Sequence, residues 1–202
     1  MKSMVKFIED GHYYINSKGV IIPSVSDLVD FHFSGTYKNI PKSILQAAAE
    51  YGTLVHELLE QYDNGELDVE KIQYSKIDPN IKSSLKQYAE LKKKYMIYPK
   101  SQEQIVSYKE RYAGRYDKLD DAKILWDVKT TSKKYEDKWA CQLGYYYLAL
   151  GYEKEVAYVI WLPKKEKGEV VMIQPWSKKQ CEEGLCAYEE HIARQQSMLG
   201  VW

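Results

Sequence analysis

The segment GRYDKLDDAKILWDVKTTS, residues 114–132, decides the fold. The pattern over Tyr112–Leu119 and again over Lys123–Thr130 has a period of two residues, which predicts two β-strands. The intervening Asp120-Asp121-Ala122 is typical of a hairpin turn, so the two strands should pair in antiparallel fashion. Because apolar residues occupy both faces of the second strand, we expect it to lie in the buried centre of a sheet.

Further elements are predicted on both sides of this segment. Upstream, the pattern predicts strands over His12–Ile15 and Val20–Ile22, a short helix capped by Ser24 with Asp27, an irregular stretch from Phe31 to Pro41, helices over Lys42–Tyr62 and Asn80–Tyr95, and a strand over Ile105–Tyr108. Downstream, it predicts a helix over Glu136–Gly151, strands over Val156–Leu162 and Glu169–Gln174, and a last helix over Lys178–Leu199.

This order of elements predicts an α/β fold, in which a mixed central β-sheet is flanked by helices. We expect one domain over residues 1–202, because 202 residues are the length of one ordinary domain. Within it, residues 1–41 should form strands and loops, residues 42–100 a helical region, residues 101–176 the sheet with one helix, and residues 177–202 a C-terminal helix.

Composition limits the classes of function. Lysine and arginine total 29, as do aspartate and glutamate, so the net charge is zero and any contact with a nucleic acid must be local. No apolar run approaches the ~20 residues that cross a bilayer, so we expect no membrane partner. The N-terminal MKSMVKFIEDGHYY carries acids and tyrosines where an export signal needs an apolar stretch, and the three cysteines (Cys141, Cys181, Cys186) are too few for a disulfide framework. We therefore expect a cytoplasmic, reducing location.

Two carboxylates and a lysine should meet on the predicted hairpin. Asp127 and Lys129 share one face of their strand, and folding back at the turn brings Asp117 within diagonal reach of Asp127. Close carboxylates repel unless one is protonated or a cation lies between them. Carboxylate and carbonyl oxygens suit Mg²⁺ or Mn²⁺, which can support phosphodiester hydrolysis. The alternative is that Asp127 and Lys129 form only an ion pair in the core.

Two helices carry further candidates. Gly52, His56 and Glu60 are four residues apart and share one helix face, and a glycine inside a helix, which costs about 1 kcal/mol, favours close approach of a backbone or a ligand. Trp139, Gln142 and Tyr146 share a face of the helix after the hairpin, where they could contact bases and phosphates or form an aromatic core face. For Lys92-Lys93-Lys94 we favour a solvated helix end over a DNA contact.

Together these pieces resemble the PD-(D/E)XK nuclease superfamily, in particular its RecB-like branch with the phage-type exonucleases. The matching pieces occur in the family's order over residues 52–146: Gly52-Thr-Leu-Val-His56-Glu-Leu-Leu-Glu60, Gly114-Arg-Tyr-Asp117, Asp127-Val-Lys129-Thr130 and Gln142-x-x-x-Tyr146. Ile22-Pro23-Ser24-Val25-Ser26 is similar to a segment near the start of phage members. Tyr116 in place of proline and Asp127 in place of glutamate are variations that the family tolerates.

The resemblance implies a role for each matching residue. His56, Asp117 and Asp127 would hold Mg²⁺ or Mn²⁺ with the carbonyl of Val128, and Lys129 would be the catalytic lysine. Gln142 and Tyr146 would position DNA near the site, and Thr130 and Thr131 would contact a phosphate. Glu103 and Glu60 would be additional acidic positions. An iron–sulfur cluster is not expected, since that would take four cysteines and the chain has three.

The implied activity is that of a DNA exonuclease acting at single- or double-stranded ends. Phage-type recombination or repair, beside a single-strand annealing recombinase, is the setting that the resemblance implies. Lysines near the site could guide the DNA backbone: Lys133, Lys134, Lys138, Lys164 and Lys165. Two alternatives stay open, namely an endonuclease of the same fold and a catalytically inactive DNA-binding protein.

Overall fold

A computed structural model describes residues 5–69 and 77–198. An antiparallel sheet of β1 (Lys6–Ile8), β2 (Tyr13–Ile15) and β3 (Ile21–Ile22) begins this part of the chain. Three helices follow: α1 (Val25–His32), α2 (Lys42–Asp63) and α3 (Pro79–Tyr95). A larger sheet then contains β4 (Ser101–Tyr108), β5 (Tyr112–Leu119), β6 (Leu125–Lys129), β7 (Ala157–Trp161) and β8 (Glu169–Ile173). Helix α4 (Glu136–Leu150) connects β6 to β7, and α5 (Lys178–Met198) follows β8.

The larger sheet is mixed, with its strands in the order of the sequence. The neighbours β6 and β7 are parallel, whereas every other pair in this sheet is antiparallel. A parallel pair needs a crossover, and α4 provides it. The α/β fold that the sequence predicts, a mixed central sheet with flanking helices, is confirmed.

Strand β6 divides the core into two layers. Leu125 packs with α1, α4 and α5 on one face of the sheet. Trp126 and Val128 pack with α2 and α3 on the other face. The alternation of apolar residues along this strand therefore places it in the buried centre of the fold, as the sequence predicts.

Local signals explain several element boundaries. Ser24 caps α1 in a reciprocal capping box with Asp27, as predicted. Asp78 caps α3, and the proline that follows it occupies the first turn of that helix. Helix α4 ends where Gly151 adopts a left-handed φ of 72°, a conformation that glycine takes without a steric penalty.

Tyrosines form much of the layer between the sheet and α4. The hydroxyl of Tyr112 donates to the carbonyl of Tyr145 at 2.7 Å. The hydroxyl of Tyr147 accepts from the Leu125 N–H at 2.9 Å and donates to the Val156 carbonyl at 3.0 Å. This core is therefore joined to the main chain by directional hydrogen bonds as well as by apolar packing.

The structure corrects some predicted boundaries. Strand β1 was not predicted, since three residues are too short for an alternation signal. Strand β6 begins at Leu125 rather than Lys123, because Lys123 has a φ of 62° and belongs to the turn. Strand β4 begins at Ser101 rather than Ile105, because its polar first half also pairs with β5. The predicted helix end at Leu199 lies outside the described residues.

Two further sequence predictions concern a membrane-spanning helix and the lysine triplet at the end of α3. Within residues 5–69 and 77–198, none of the helices combines the length and the apolar character that crossing a bilayer requires. Lys93 and Lys94 are exposed at the end of α3, as predicted. Lys92 is not solvated, because its ammonium group lies 2.5 Å from a carboxylate oxygen of the fully buried Asp63.

Candidate active site

Helix α2 brings the predicted row of side chains to a cleft beside β5. Gly52, His56 and Glu60 all line this cleft, which has a volume of about 360 Å³. His56 Nδ1 lies 3.4 Å from Asp117 Oδ2. A Cβ atom added at Gly52 would lie 3.4 Å from Thr130 Oγ1, so the close neighbour of this glycine is a side chain and not a backbone.

Asp117 lies where the pairing of β5 is interrupted on both sides. Toward β4, the register places it opposite Glu103, but these two residues are not paired, and Glu103 has a left-handed φ of 49°. Toward β6, regular pairing ends at Lys118 and Trp126. The Val128 N–H, released from a ladder bond, donates to Asp117 Oδ2 at 2.7 Å. This break in the ladder lets the carboxylate lie between the strands.

Three residues meet at this break and form what we call the ligand cluster: His56, Glu103 and Asp117. One nitrogen or oxygen atom from each lies within 4.8 Å of the other two, on residues that are only partly exposed. An imidazole nitrogen and two carboxylate oxygens form a donor set that fits a divalent cation. Glu103, predicted only as an additional acidic position, is a full member of the cluster.

Crowding of acidic groups perturbs protonation here. Burial, then the charges of Asp117 and Glu60, raise the pKa of Glu103 to about 7, against the lowering effect of Arg115. Arg115 Nε lies 2.9 Å from Glu103 Oε2. Burial also lowers the pKa of His56, and the Asp117 carboxylate offsets part of that effect. A neutral imidazole and deprotonated carboxylates are the forms that bind a metal ion, and a bound cation would favour loss of the proton from Glu103.

Asp127 and Lys129 form a second group beside the ligand cluster. Lys129 Nζ lies 2.7 Å from Asp127 Oδ2, and the two side chains are 19% and 3% exposed. Burial raises the pKa of Asp127, and the Lys129 charge opposes the increase. A carboxylate has about four lone-pair positions, so Asp127 can pair with Lys129 and still offer an oxygen to a further cation.

The register changes one predicted relation. Lys118 and Trp126 are the last pair of this ladder, and one further step in the same register would set Asp117 opposite Asp127 rather than diagonal to it. Asp117 nevertheless shares the ligand cluster with His56 and Glu103, and Asp127 lies outside that cluster. Val128 connects the two groups, because its N–H binds Asp117 while its neighbours are Asp127 and Lys129.

The predicted Gln142 contacts the Asp127 carboxylate, and Tyr146 contacts Gln142. Gln142 Nε2 donates to Asp127 Oδ1 at 3.4 Å and to the Tyr146 hydroxyl at 3.3 Å. Tyr146 is only 5% exposed, so its ring is not available to a base. The pair therefore holds the carboxylate in place from α4.

Trp139, the two threonines after β6 and the guiding lysines are the other predicted contacts with DNA. Trp139 belongs to the core between the sheet and α4, so the core alternative is right for this residue. Thr130 and Thr131 are half-buried at the end of β6, and the Thr131 hydroxyl donates to the Lys133 carbonyl at 2.8 Å. Among the predicted guiding lysines, Lys134 pairs with Glu169 and Lys138 with Asp30.

Three more of the predicted guiding lysines reach the surface in other ways. Lys133 and Lys165 are exposed, and Lys164 Nζ lies 3.7 Å from the centre of the Tyr51 ring.

The sequence did not single out Arg115, although it follows the Gly114 of a quoted motif. The sequence also did not single out Lys118, because the pattern of a strand does not show which buried lysine pairs with a carboxylate.

Comparison with known proteins supports the fold alone. No family model matches the sequence, and no curated protein is significantly similar to it. A "putative exonuclease" from Eubacterium rectale aligns with 90% of this chain and 82% of its own, at 16% identity and a TM-score of 0.53. The structure of SSO0001 aligns with 86% of this chain and 76% of its own, at 16% identity and a TM-score of 0.48. The first of these likenesses supports the α/β architecture.

Proposed function

We propose that the chain is a metal-dependent deoxyribonuclease of the PD-(D/E)XK superfamily, similar in its motifs to the RecB-like branch. The observation that carries the proposal is the ligand cluster of His56, Glu103 and Asp117 at the break in the β-ladder. The Asp127–Lys129 pair lies at the same break, because Val128 binds Asp117 through its N–H. An ion-binding group and a lysine so placed suit hydrolysis of a phosphodiester.

The chain's own residues have separate roles in this proposal. His56, Glu103 and Asp117 would hold Mg²⁺ or Mn²⁺, with Asp127 and the Val128 carbonyl as further oxygen donors. When bound, the metal supplies a polarised phosphate oxygen and a bound water of lowered pKa. Lys129, fixed by Asp127, would donate to the phosphate oxygen on which negative charge grows in the transition state.

DNA would reach the site through the cleft beside α2. Arg115 is 52% exposed at the cleft, where its guanidinium group could contact a backbone phosphate. Thr130 and Thr131 would contact the phosphate next to the reacting one. The name of the Eubacterium rectale neighbour, together with the motifs, favours an exonuclease that acts at DNA ends. A role in phage-type recombination or repair with an annealing recombinase, in a cytoplasm, follows from the resemblance.

A cleavage assay on linear duplexes labelled at the 5′ or the 3′ end tests the activity. The wild-type protein should release labelled nucleotides with Mg²⁺ or Mn²⁺ and be inactive with chelator. Lys129→Ala should lower the rate by about 10²–10³-fold, the usual effect of losing a donor to a developing oxyanion. Lys179→Ala, which removes an exposed lysine on α5, on the face of the sheet opposite α2, is the matched control and should retain the wild-type rate.

Two results would redirect the proposal. Cutting of covalently closed circular DNA would identify an endonuclease of the same fold. Equal and negligible metal-dependent cleavage by wild type and Asp127→Ala, with DNA binding retained, would identify an inactive DNA-binding protein.

A further inference from the structure

Asp63, the last residue of α2, is a buried carboxylate that accepts from three side chains. The Tyr88 hydroxyl donates to Oδ2 at 2.6 Å, and Lys118 Nζ donates to the same oxygen at 2.7 Å. Lys92 Nζ donates to Oδ1 at 2.5 Å. Lys118 also donates to Gln102 Oε1 at 2.8 Å. We call these five residues the Asp63 cluster.

Three members of the Asp63 cluster, namely Asp63, Lys118 and Gln102, lie on the elements that carry the ligand cluster, whereas Tyr88 and Lys92 lie on α3. Asp63 is on α2, seven residues and about two turns after His56. Lys118 directly follows Asp117 on β5, and Gln102 directly precedes Glu103 on β4. The Asp63 carboxylate therefore binds β5 directly and β4 through Lys118, and these strands and α2 present the three candidate metal ligands.

The position of this connection matters because the backbone is irregular there. Glu103 and Asp117 are the opposed residues at which the β4–β5 ladder is not paired, so ladder bonds do not fix their separation. The Lys118 bonds to Asp63 and Gln102 are directly adjacent to that gap. Gln102 and Lys118 are the last ladder partners before the gap, and the bond from Lys118 to Asp63 joins this end of the β4–β5 pair to α2.

Stability alone does not explain a charged cluster at this place. The side chains of Asp63 and Lys118 are 0% and 4% exposed, so both charges are removed from water. Burying such a group is costly, and replacing a buried charged group by apolar residues often leaves a protein as stable or makes it more stable. Fixed geometry for neighbouring residues is a benefit that apolar packing does not give.

We propose that Asp63, with Tyr88 and Lys118, is a positioning residue that sets the spacing of His56, Glu103 and Asp117 for a divalent cation. The inference rests on the proposed function, because it assumes that the ligand cluster binds a metal. Residues that orient metal ligands through hydrogen bonds change metal affinity by about 10–100-fold when they are removed.

Calorimetric titration of the metal-free protein with Mn²⁺ tests the inference without any nuclease assay. Tyr88→Phe removes one hydroxyl from Asp63 and preserves the ring, so we expect the dissociation constant for Mn²⁺ to rise by about tenfold. Tyr108→Phe is the matched control, because it removes a hydroxyl that donates to Glu182 Oε1 at the same distance, 2.6 Å, in the opposite layer. The control should bind Mn²⁺ with wild-type affinity.

A second variant separates positioning from loss of folding. Lys92→Met removes a charge that is 18% exposed and preserves most of the stem, and it should also weaken Mn²⁺ binding while thermal unfolding stays cooperative. Wild-type affinity in both folded variants would overturn the positioning role while leaving the metal site intact. Equal weakening in Tyr108→Phe would also overturn it. Absence of Mn²⁺ binding by the wild-type protein would overturn the proposed function itself.

Discussion

Replacing Asp117 by asparagine separates metal binding from folding. The amide retains an oxygen that can accept from the Val128 N–H, and it removes one negative charge from beside Glu103. We therefore expect the metal-free variant to unfold within a few degrees of the wild-type protein. The stabilisation that Mn²⁺ gives should largely disappear, because one of the three ligands in the cluster has lost its charge.

The size of the effect follows from linkage. A ligand that binds only the native state at 100 times its dissociation constant stabilises that state by about 2.7 kcal/mol. For a chain of this length, about 1 kcal/mol shifts Tm by roughly 2–4 °C, so the wild-type Tm should rise by roughly 5–11 °C. A loss of affinity on the order of 100-fold leaves about 0.4 kcal/mol at the same Mn²⁺ concentration, which is roughly 1–2 °C.

Thermal unfolding followed by circular dichroism, in chelator and in Mn²⁺, measures both quantities. Asp121→Asn is the matched control, because Asp121 is 84% exposed on the turn of the same hairpin and pairs with Lys100. This control should retain the full Mn²⁺ shift. A full shift in Asp117→Asn, or an equal loss in Asp121→Asn, would refute the reasoning.

Two further predictions concern local structure. Ser24→Ala should lower the free energy of unfolding by about 1 kcal/mol and Tm by roughly 2–4 °C, because it removes the cap of α1. Ser26→Ala, at an exposed position of the same helix, is the control and should leave Tm unchanged. An unchanged Tm in Ser24→Ala would argue against the capping box. Gly144→Ala should cost roughly 1–3 kcal/mol, because its Cβ would lie 2.7 Å from the backbone of Trp176. Gly52→Ala should leave the free energy of unfolding unchanged or raise it by up to about 1 kcal/mol, since the added Cβ fits at 3.4 Å from Thr130 Oγ1. Chemical denaturation measures the stability of both glycine variants. A loss of stability in Gly52→Ala would contradict the geometry.

The sheet could be predicted because its central strand carries apolar residues on both faces. In β6, Leu125 and Trp126 belong to different layers, so the apolar residues had to alternate with the period of a strand. The crossover helix was also predictable, since its end at Gly151 has a glycine signal. Strand β1 was not, because a three-residue strand exists only through its pairing with β2.

The site was predictable to the extent that its motifs are local. The spacing of Gly52 and His56 on a helix placed the histidine on the correct face, and it lies beside Asp117. The full membership of Glu103 could not be predicted, because it depends on a left-handed backbone at an interrupted ladder. The contact of Asp63 with Lys118 joins residues 55 positions apart, and no periodic pattern carries such a pairing.

The tyrosines beneath the sheet restrict how this sequence can evolve. Where aliphatic side chains fill a core, isosteric exchange is tolerated as long as the total volume is kept. Here an exchange of Tyr147 for phenylalanine would preserve volume and still leave the buried Leu125 N–H without its acceptor, at a cost of about 1–3 kcal/mol. Homologues that keep this layer should therefore vary at its aliphatic positions long before they lose these hydroxyl groups.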